Sequence, residues 1–159
     1  MIPEPTMSAV NIRPAVPADI PQLLVLIQGY WEFERLEGFN PQRIEALLRQ
    51  LLGTASLGAA WVAEAHERLL GYAIVVQVLS LEHQGLMAEI DEFFVLPEAR
   101  SIGVGAALLT ALERALAADG CVRLELQLGV ANAKARAFYQ RQGFAGRDGY
   151  QLLDKALQR

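Results

Sequence analysis

The sequence predicts an α/β (α+β) chain built on a mixed, mostly antiparallel sheet flanked by helices, and three observations carry that expectation. The order of periodic segments is one: a strand, two amphipathic helices, three consecutive β-rich runs, then alternating helix and strand. Size is another, since 159 residues, 53% of them hydrophobic and 20% charged, suit one globular domain with a substantial core. The third is that no internal repeat or low-complexity linker breaks the chain into modules.

Residues 1–8 carry Pro3 and Pro5 and no periodic pattern, so they read as a disordered extension ahead of a single domain at 9–159, with Met7 an alternative start to Met1. Residues 10–13 form a short strand in this reading. Asp19 then suits a helix N-cap and Pro21 a first turn, and Leu23, Leu24, Ile27, Tyr30 and Trp31 follow helical spacing. Asn40-Pro41 is a second cap signal, after which Ile44, Leu47, Leu48, Leu51 and Leu52 predict an amphipathic helix ending near Gly53. The β-rich runs 60–65 and 70–80 are split by His66-Glu67-Arg68, a hairpin pattern. Residues 87–96 are a further strand stopped by Pro97, and three antiparallel strands in succession are the simplest arrangement. Residues 103–119 place Val104, Leu108, Leu109, Leu112 and Leu116 on one helical stripe, with Gly120 where a helix ends. A strand at 122–128, a shorter helix at 132–142 closed by Gly143, and last strands from the tail at 150–157 complete the reading.

Composition removes several function classes. A net charge of −4 lacks the basic footprint of a nucleic-acid binder, and no stretch approaches the ~20 apolar residues of a membrane span. The N-terminus has no basic or apolar signal region, which reads as cytoplasmic. With Cys121 the single cysteine and His66 and His83 the imidazoles, neither a disulfide nor a metal site is expected. Cys121, opening an apolar strand, reads as a buried inert thiol.

The informative stretch is 89–109, EIDEFFVLPEARSIGVGAALL, where a strand runs into a loop holding Arg100, Ser101, Gly103 and Gly105 and a helix begins inside the loop. Small residues leave backbone N–H groups uncovered, and a helix N-terminus adds roughly half a positive charge, so an anionic phosphate suits it. A Walker loop would need Gly-Lys-Ser/Thr, and the dinucleotide fingerprint needs a third glycine where Leu108 stands. Taken alone, Arg100-x-x-Gly103-x-Gly105 is also compatible with a ligand-free turn. A second pattern follows the next strand: Asn132-x-x-Ala135-x-x-Phe138-Tyr139-x-x-x-Gly143-Phe144. Together, and with Ile12-Arg13-Pro14-Ala15 and Asp19 near the start, these motifs resemble the GNAT acetyltransferase superfamily over nearly all of the chain from Val10 to Leu157. Ile90-Asp91-Glu92-Phe93-Phe94-Val95 and Tyr30-Trp31-Glu32-Phe33-Glu34 are further similar to spermidine/spermine N-acetyltransferases and their thialysine-acetylating relatives.

The resemblance implies the GNAT fold, acetyl-CoA as co-substrate, and direct attack by a small-molecule primary amine, such as a diamine or polyamine, in a ternary complex. In that family the strand matching residues 90–96 splays from its neighbour, and main-chain groups of Phe93, Phe94 and Val95 pair with the pantetheine while their side chains stay in the core. The pyrophosphate falls to backbone amides of Ser101, Ile102, Gly103, Val104, Gly105 and Ala106. Arg100 either reaches a phosphate oxygen or stands solvated at the loop's start. Asn132, in one motif with Ala135 and Phe138 on the cofactor side, holds the far pantetheine or serves as an N-cap. Tyr139 matches the family's general acid, and a phenol of pKa ~10 stays protonated at neutral pH and donates to a departing thiolate. A core tyrosine on an amphipathic helix is the plainer alternative.

An alkylammonium of pKa ~10.4 must shed a proton before it attacks. Asp91 is the first choice of acceptor, directly or through water, followed by Glu89 and then Glu92. Period-two alternation puts Glu89 and Asp91 on one strand face and Glu92 on the other unless a bulge intervenes, and the order Asp91-Glu92 swaps the Glu-Asp of the polyamine enzymes. Alternatively the three carboxylates only line a strand end that attracts a cation. Trp31, Glu32 and Glu34, with Glu37, form a candidate cation site at the end of the first helix, against a solvated helix face. The resemblance also implies a homodimer. Two other functions stay open, a protein N-terminal or lysine acetyltransferase and a noncatalytic CoA-binding regulatory module.

Overall fold

The computed structural model describes residues 6–158, so most of the extension expected at 1–8 lies outside the described residues, while Met7–Ala9 forms a short 3-10 turn. In chain order come β1 (Asn11–Pro14), α1 (Ile20–Glu34), α2 (Pro41–Gly53), β2 (Gly58–Ala65), β3 (Arg68–Ser80), β4 (Gly85–Val95), the single-turn α3 (Pro97–Arg100), α4 (Val104–Ala118), β5 (Cys121–Leu126) and α5 (Ala133–Arg141). Two compact units divide the chain, the first ending at Gln127 and the second beginning at Leu128.

The first unit holds the sheet, ordered β1-β2-β3-β4-β5, antiparallel from β1 to β4 with β5 parallel to β4. That parallel step follows from α4, which carries the chain back so that β5 restarts at the end where β4 began. His66 and Glu67, at φ 51° and 61°, make the tight reversal between β2 and β3, a geometry whose twist matches a hairpin. Helices cover both faces. Leu23, Ile27 and Leu48 pack with Val62, Tyr72 and Ile74 on one, and Val104 packs with Ala63, Leu70 and Val95 on the other. The α4 stripe of Leu108, Leu109, Leu112 and Leu116 is buried as the spacing predicts. Among the described residues no helix is long and apolar enough to cross a membrane.

Helix ends largely follow the expected caps. Asn40 accepts the Arg43 amide at 3.0 Å to open α2, and Gly120 takes a left-handed φ of 85° after α4. Asp19 departs from expectation. Its own dihedrals are helical, and its buried carboxylate accepts from the Val16 amide and from both terminal nitrogens of Arg13, each at 2.8 Å. A bidentate guanidinium is a stronger donor than a helix amide, so the carboxylate turns to it. Arg13 Nε in turn donates to Glu64 at 2.8 Å, tying β1 to β2. Cys121 is half-buried rather than buried, and desolvation, then the Asp119 charge, raises its pKa and keeps the thiol protonated.

In the second unit Asn132 caps α5 by accepting the Ala135 amide at 3.1 Å, and Gly143 follows the helix at φ 89°. The strands expected at 150–157 do not form. Tyr150, Leu152, Leu153 and Leu157 are exposed, the segment has no β-branched residue, and consecutive leucines cannot both face one side of a strand.

Removing the Asp19 carboxylate strands the Arg13 charge and the Val16 amide together. Asp19→Ala is expected to lower stability by about 2–4 kcal/mol in urea denaturation. Because Arg13 holds the Asp19 carboxyl below its ordinary pKa, this contribution is complete above the unfolded value of ~4 and is lost as pH falls through the lowered folded value. The gap between parent and variant should therefore close in acid.

Candidate active site

One residue too many in β4 organises the site. Ile74 pairs with Glu92 and Val75 with Ile90, so Asp91 is the extra residue of a β-bulge. Glu89 pairs with Val76 and Glu92 with Ile74, and since Ile74 and Val76 are two apart their side chains share a face. Strict alternation assigns Glu92 to the face opposite Glu89; the bulge reverses this, and both lie on the face covered by α1 and α2. Asp91 and Glu92 line one pocket of about 480 Å³, walled by Ile27 of α1, Leu47, Leu48 and Leu51 of α2, and Ile74 and Val76 of β3.

Glu92 is held at both oxygens. Trp31 Nε1 donates to Oε1 at 3.0 Å and the Tyr72 hydroxyl donates to Oε2 at 2.8 Å. Desolvation raises the Glu92 pKa, partly offset by these two hydrogen bonds and reinforced by the Asp91 charge. Desolvation also raises Asp91. The Tyr72 phenol is pushed far up by burial and then by Glu92, and Tyr30 is pushed up to about 12 by burial and then by Glu34, Glu92 and Asp91. Both phenols thus remain donors at any physiological pH, while the carboxylates are better proton acceptors than ordinary ones. Glu89 accepts from Gln127 Nε2 at 3.0 Å.

Beyond this pair the edge of β4 changes character. Its ladder with β5 runs from Leu86↔Cys121 to Ile90↔Leu126 and stops, while Glu92 to Val95, beyond the Asp91 bulge, keep their pairing with β3. Phe93 packs on the α4 face and Phe94 on the other, where its ring meets Tyr30 at 6.2 Å and Tyr72 at 6.4 Å. The chain then passes through α3, exposed Ser101 and Ile102, which packs with Val104, to Gly103 at φ 89°. No side chain caps α4, and the Ala107 amide, bonded to the Gly103 carbonyl at 3.1 Å, opens the helix's own ladder. First-turn amides such as those of Val104, Gly105 and Ala106 therefore lack an intrahelical acceptor. Arg100 is exposed yet anchored: Nε donates to the Val95 carbonyl at 2.8 Å, and its guanidinium lies 5.1 Å from the Phe33 ring centre and 5.5 Å from that of Phe94.

Of the residues expected to bind a cation at the end of α1, Trp31 turns in to Glu92. Glu32 and Glu34 are exposed and line no part of the pocket, and Glu32 accepts from Gln28 at 3.1 Å. Tyr72 was not expected from the sequence. Its hydroxyl is the one polar side-chain group in the run 69–76, and a buried phenol in such a run needs an acceptor, which is the signal that points to it. In the second unit Asn132, Ala135, Phe138 and Tyr139 share α5 and its cap, with Tyr139 edge-on to Phe138 at 5.1 Å and to Phe144 at 5.4 Å.

Known proteins share this sequence pattern and architecture. The model of a family described as the acetyltransferase (GNAT) family matches residues 21–144. The uncharacterized N-acetyltransferase YhfO of Bacillus subtilis (strain 168) is 29% identical over 140 residues, 88% of this chain and 93% of that protein. The IAA acetyltransferase of Azospirillum brasilense is 34% identical over 114 residues, 72% of this chain and 74% of its own length. An integron cassette protein from the mobile metagenome of Cole Harbour Salt Marsh superposes with a TM-score of 0.81 at 28% identity, covering 93% of this chain and 91% of that one. The aminoglycoside N-acetyltransferase AAC(6')-Iy, in complex with CoA, has the same fold at a TM-score of 0.82 and 19% identity, over 99% and 100% of the two chains. Fold and family match together define an N-acetyltransferase. The chain belongs to the GNAT acetyltransferase family.

A carboxylate whose folded pKa is raised binds protons more readily in the folded state, so it burdens stability above its unfolded pKa and the burden lifts as pH falls. Asp91→Asn is therefore expected to raise the Tm at pH 7, with the gain shrinking toward pH 4 in paired thermal scans.

Proposed function

We propose that the enzyme transfers the acetyl group of acetyl-CoA to the primary amine of a small molecule by direct attack in a ternary complex, with Asp91 and Glu92 at the acceptor site. The Asp91 bulge carries this reading. It gathers two carboxylates of raised pKa in an apolar pocket, next to the stretch of β4 beyond the end of the β5 ladder. Asp91 takes the amine's proton, directly or through water, and Glu92, fixed by Trp31 and Tyr72, keeps a negative charge beside it. Glu89 stands further along the same face as the second acceptor.

Bound acetyl-CoA supplies the activated carbonyl. The chain fits it in two places: main-chain groups of Phe93, Phe94 and Val95 lie past the end of the β5 ladder, where an extended ligand adds as a strand would, and the amides from Ser101 to Ala106 open an uncapped helix. Asn132, Ala135 and Phe138 join the cofactor side, and Tyr139 donates a proton, on their match to the family motif. Similarity of residues 30–34 and 90–95 to the spermidine/spermine enzymes points by sequence alone to a diamine or polyamine acceptor, whereas the apolar α2 wall of the pocket favours an amine with a single charge.

A panel of primary amines with acetyl-CoA tests the reading: free thiol and acetylated amine should appear in equal amounts, and no thiol release above the buffer rate with any amine refutes it. Acetyl-CoA at 100 times its Kd should stabilise the fold by about 2.7 kcal/mol, seen as a rise in Tm. Gly103→Val is expected to abolish that rise relative to its own ligand-free Tm. Its Cβ meets nothing within 4 Å, so the damage comes from the left-handed φ of 89°, which a β-branched residue resists, and from a side chain over the helix amides. Tyr139→Phe should keep that thermal shift while kcat falls by ~10²–10⁴-fold; an unchanged kcat would assign Tyr139 to packing.

A further inference from the structure

We infer that the amine this pocket takes is amphipathic, one ammonium head on an apolar alkyl or arylalkyl body, rather than a chain bearing a second charge. This rests on the acetyl-transfer reading above and names its substrate class. At about 480 Å³ the pocket lies in the range of small-molecule sites, roughly 300–1,000 Å³. Its acidic groups are Asp91 and Glu92, adjacent on β4, and among the described residues no other carboxylate lines it. The walls that α2 and the segment after it contribute are Ile44, Leu47, Leu48, Leu51 and Leu57, interrupted by the neutral Gln50.

Charge complementarity sets the head group. Among the described residues no Lys, Arg or His forms a salt bridge with Asp91 or Glu92, and the partners of Glu92 are the neutral donors Trp31 and Tyr72. The pocket therefore carries uncompensated negative charge at β4, and an ammonium is its complement. Wall chemistry sets the body. A second ammonium extending from β4 toward α2 would lose hydration against leucine side chains with no countercharge, whereas a hydrocarbon body is favoured by leaving water. The carboxylates that a polyamine would need, Glu32 and Glu34, lie exposed outside the pocket.

The test compares kcat/KM of the full chain, at saturating acetyl-CoA, for hexylamine, 2-phenylethylamine, 1,6-diaminohexane and spermidine. Hexylamine and 2-phenylethylamine should each exceed 1,6-diaminohexane by about tenfold or more. Leu47→Glu adds a carboxylate to the α2 wall at a half-exposed position, which leaves the core intact, and should shift the hexylamine to diaminohexane ratio toward the diamine by about tenfold. Equal or better turnover of the diamine by the parent, or a ratio unmoved by Leu47→Glu, overturns the inference and leaves acetyl transfer standing. No transfer to any of the four amines overturns acetyl transfer to small primary amines, and the inference with it.

Discussion

An antiparallel strand holding one residue more than its partner reverses the facing of every side chain on one side of the insertion. In β4 the insertion is Asp91, and both halves of the strand depend on it. Phe94 must face the α1 and α2 layer and Val95 the α4 layer, while upstream Ala88 and Ile90 are buried. Unbroken alternation counted back from Phe94 would exchange the places of Ile90 and Glu89, setting Glu89 on the buried face that Ala88 and Ile90 occupy. Burying an unpaired carboxylate costs several kcal/mol, roughly the scale of a whole domain's margin of stability. The extra residue lets the apolar residues of both halves stay buried, and its by-product is a pair of consecutive acidic side chains opening into one pocket.

How Glu92 is held matters as much as where it points. Had a guanidinium taken the places of Trp31 and Tyr72, the pair would be neutral and the carboxyl pKa would be driven down, as it is for Asp19 beside Arg13. Two neutral donors satisfy the oxygens of Glu92 without cancelling its charge, so desolvation dominates and its pKa goes up. The same carboxylate answers the need of the buried Tyr72 phenol for an acceptor. Structural satisfaction and retained negative charge are thus met by one arrangement, which is what an amine site requires.

Features written in a few neighbouring residues were legible in the sequence: the Asn40 cap, Gly120 and Gly143 past helix ends, the His66-Glu67 reversal and the leucine stripe of α4. Those settled by distant partners were not. Arg13 reaches a carboxylate 51 residues away in Glu64, and Asp19 prefers that guanidinium to its own helix. The bulge is a count of β4 against β3, which no single strand reveals, so the sequence by itself leaves Glu92 opposite Glu89 unless a bulge intervenes. The tail around Leu152 and Leu153 looked apolar enough for strands, yet a strand also needs a paired neighbour. At the candidate site the phosphate-loop segment and the β4 carboxylates stood out through motif and charge, whereas Tyr72 stayed hidden inside an apolar run. Glu32 is exposed ~100° around α1 from Trp31, whose indole turns in to Glu92.

Phe94 shows how one position serves two purposes without conflict. Its ring is buried among Tyr30, Phe33 and Tyr72 and carries the Arg100 guanidinium near its face, so it packs the α1 and α2 side of the sheet and steadies the exit of β4. Arg100 in turn clamps the Val95 carbonyl through Nε, fixing where the strand ends and where the turn toward Gly103 starts. The main chain of residues 93–95, by contrast, lies where β5 pairing has ended. Side chains at this strand end are over-determined by rings and a cation, and the backbone beside them runs past the last residue that β5 pairs. An edge of that kind is a liability unless something pairs with it, and a strand end held rigid by its side chains can offer the edge to a ligand without itself rearranging.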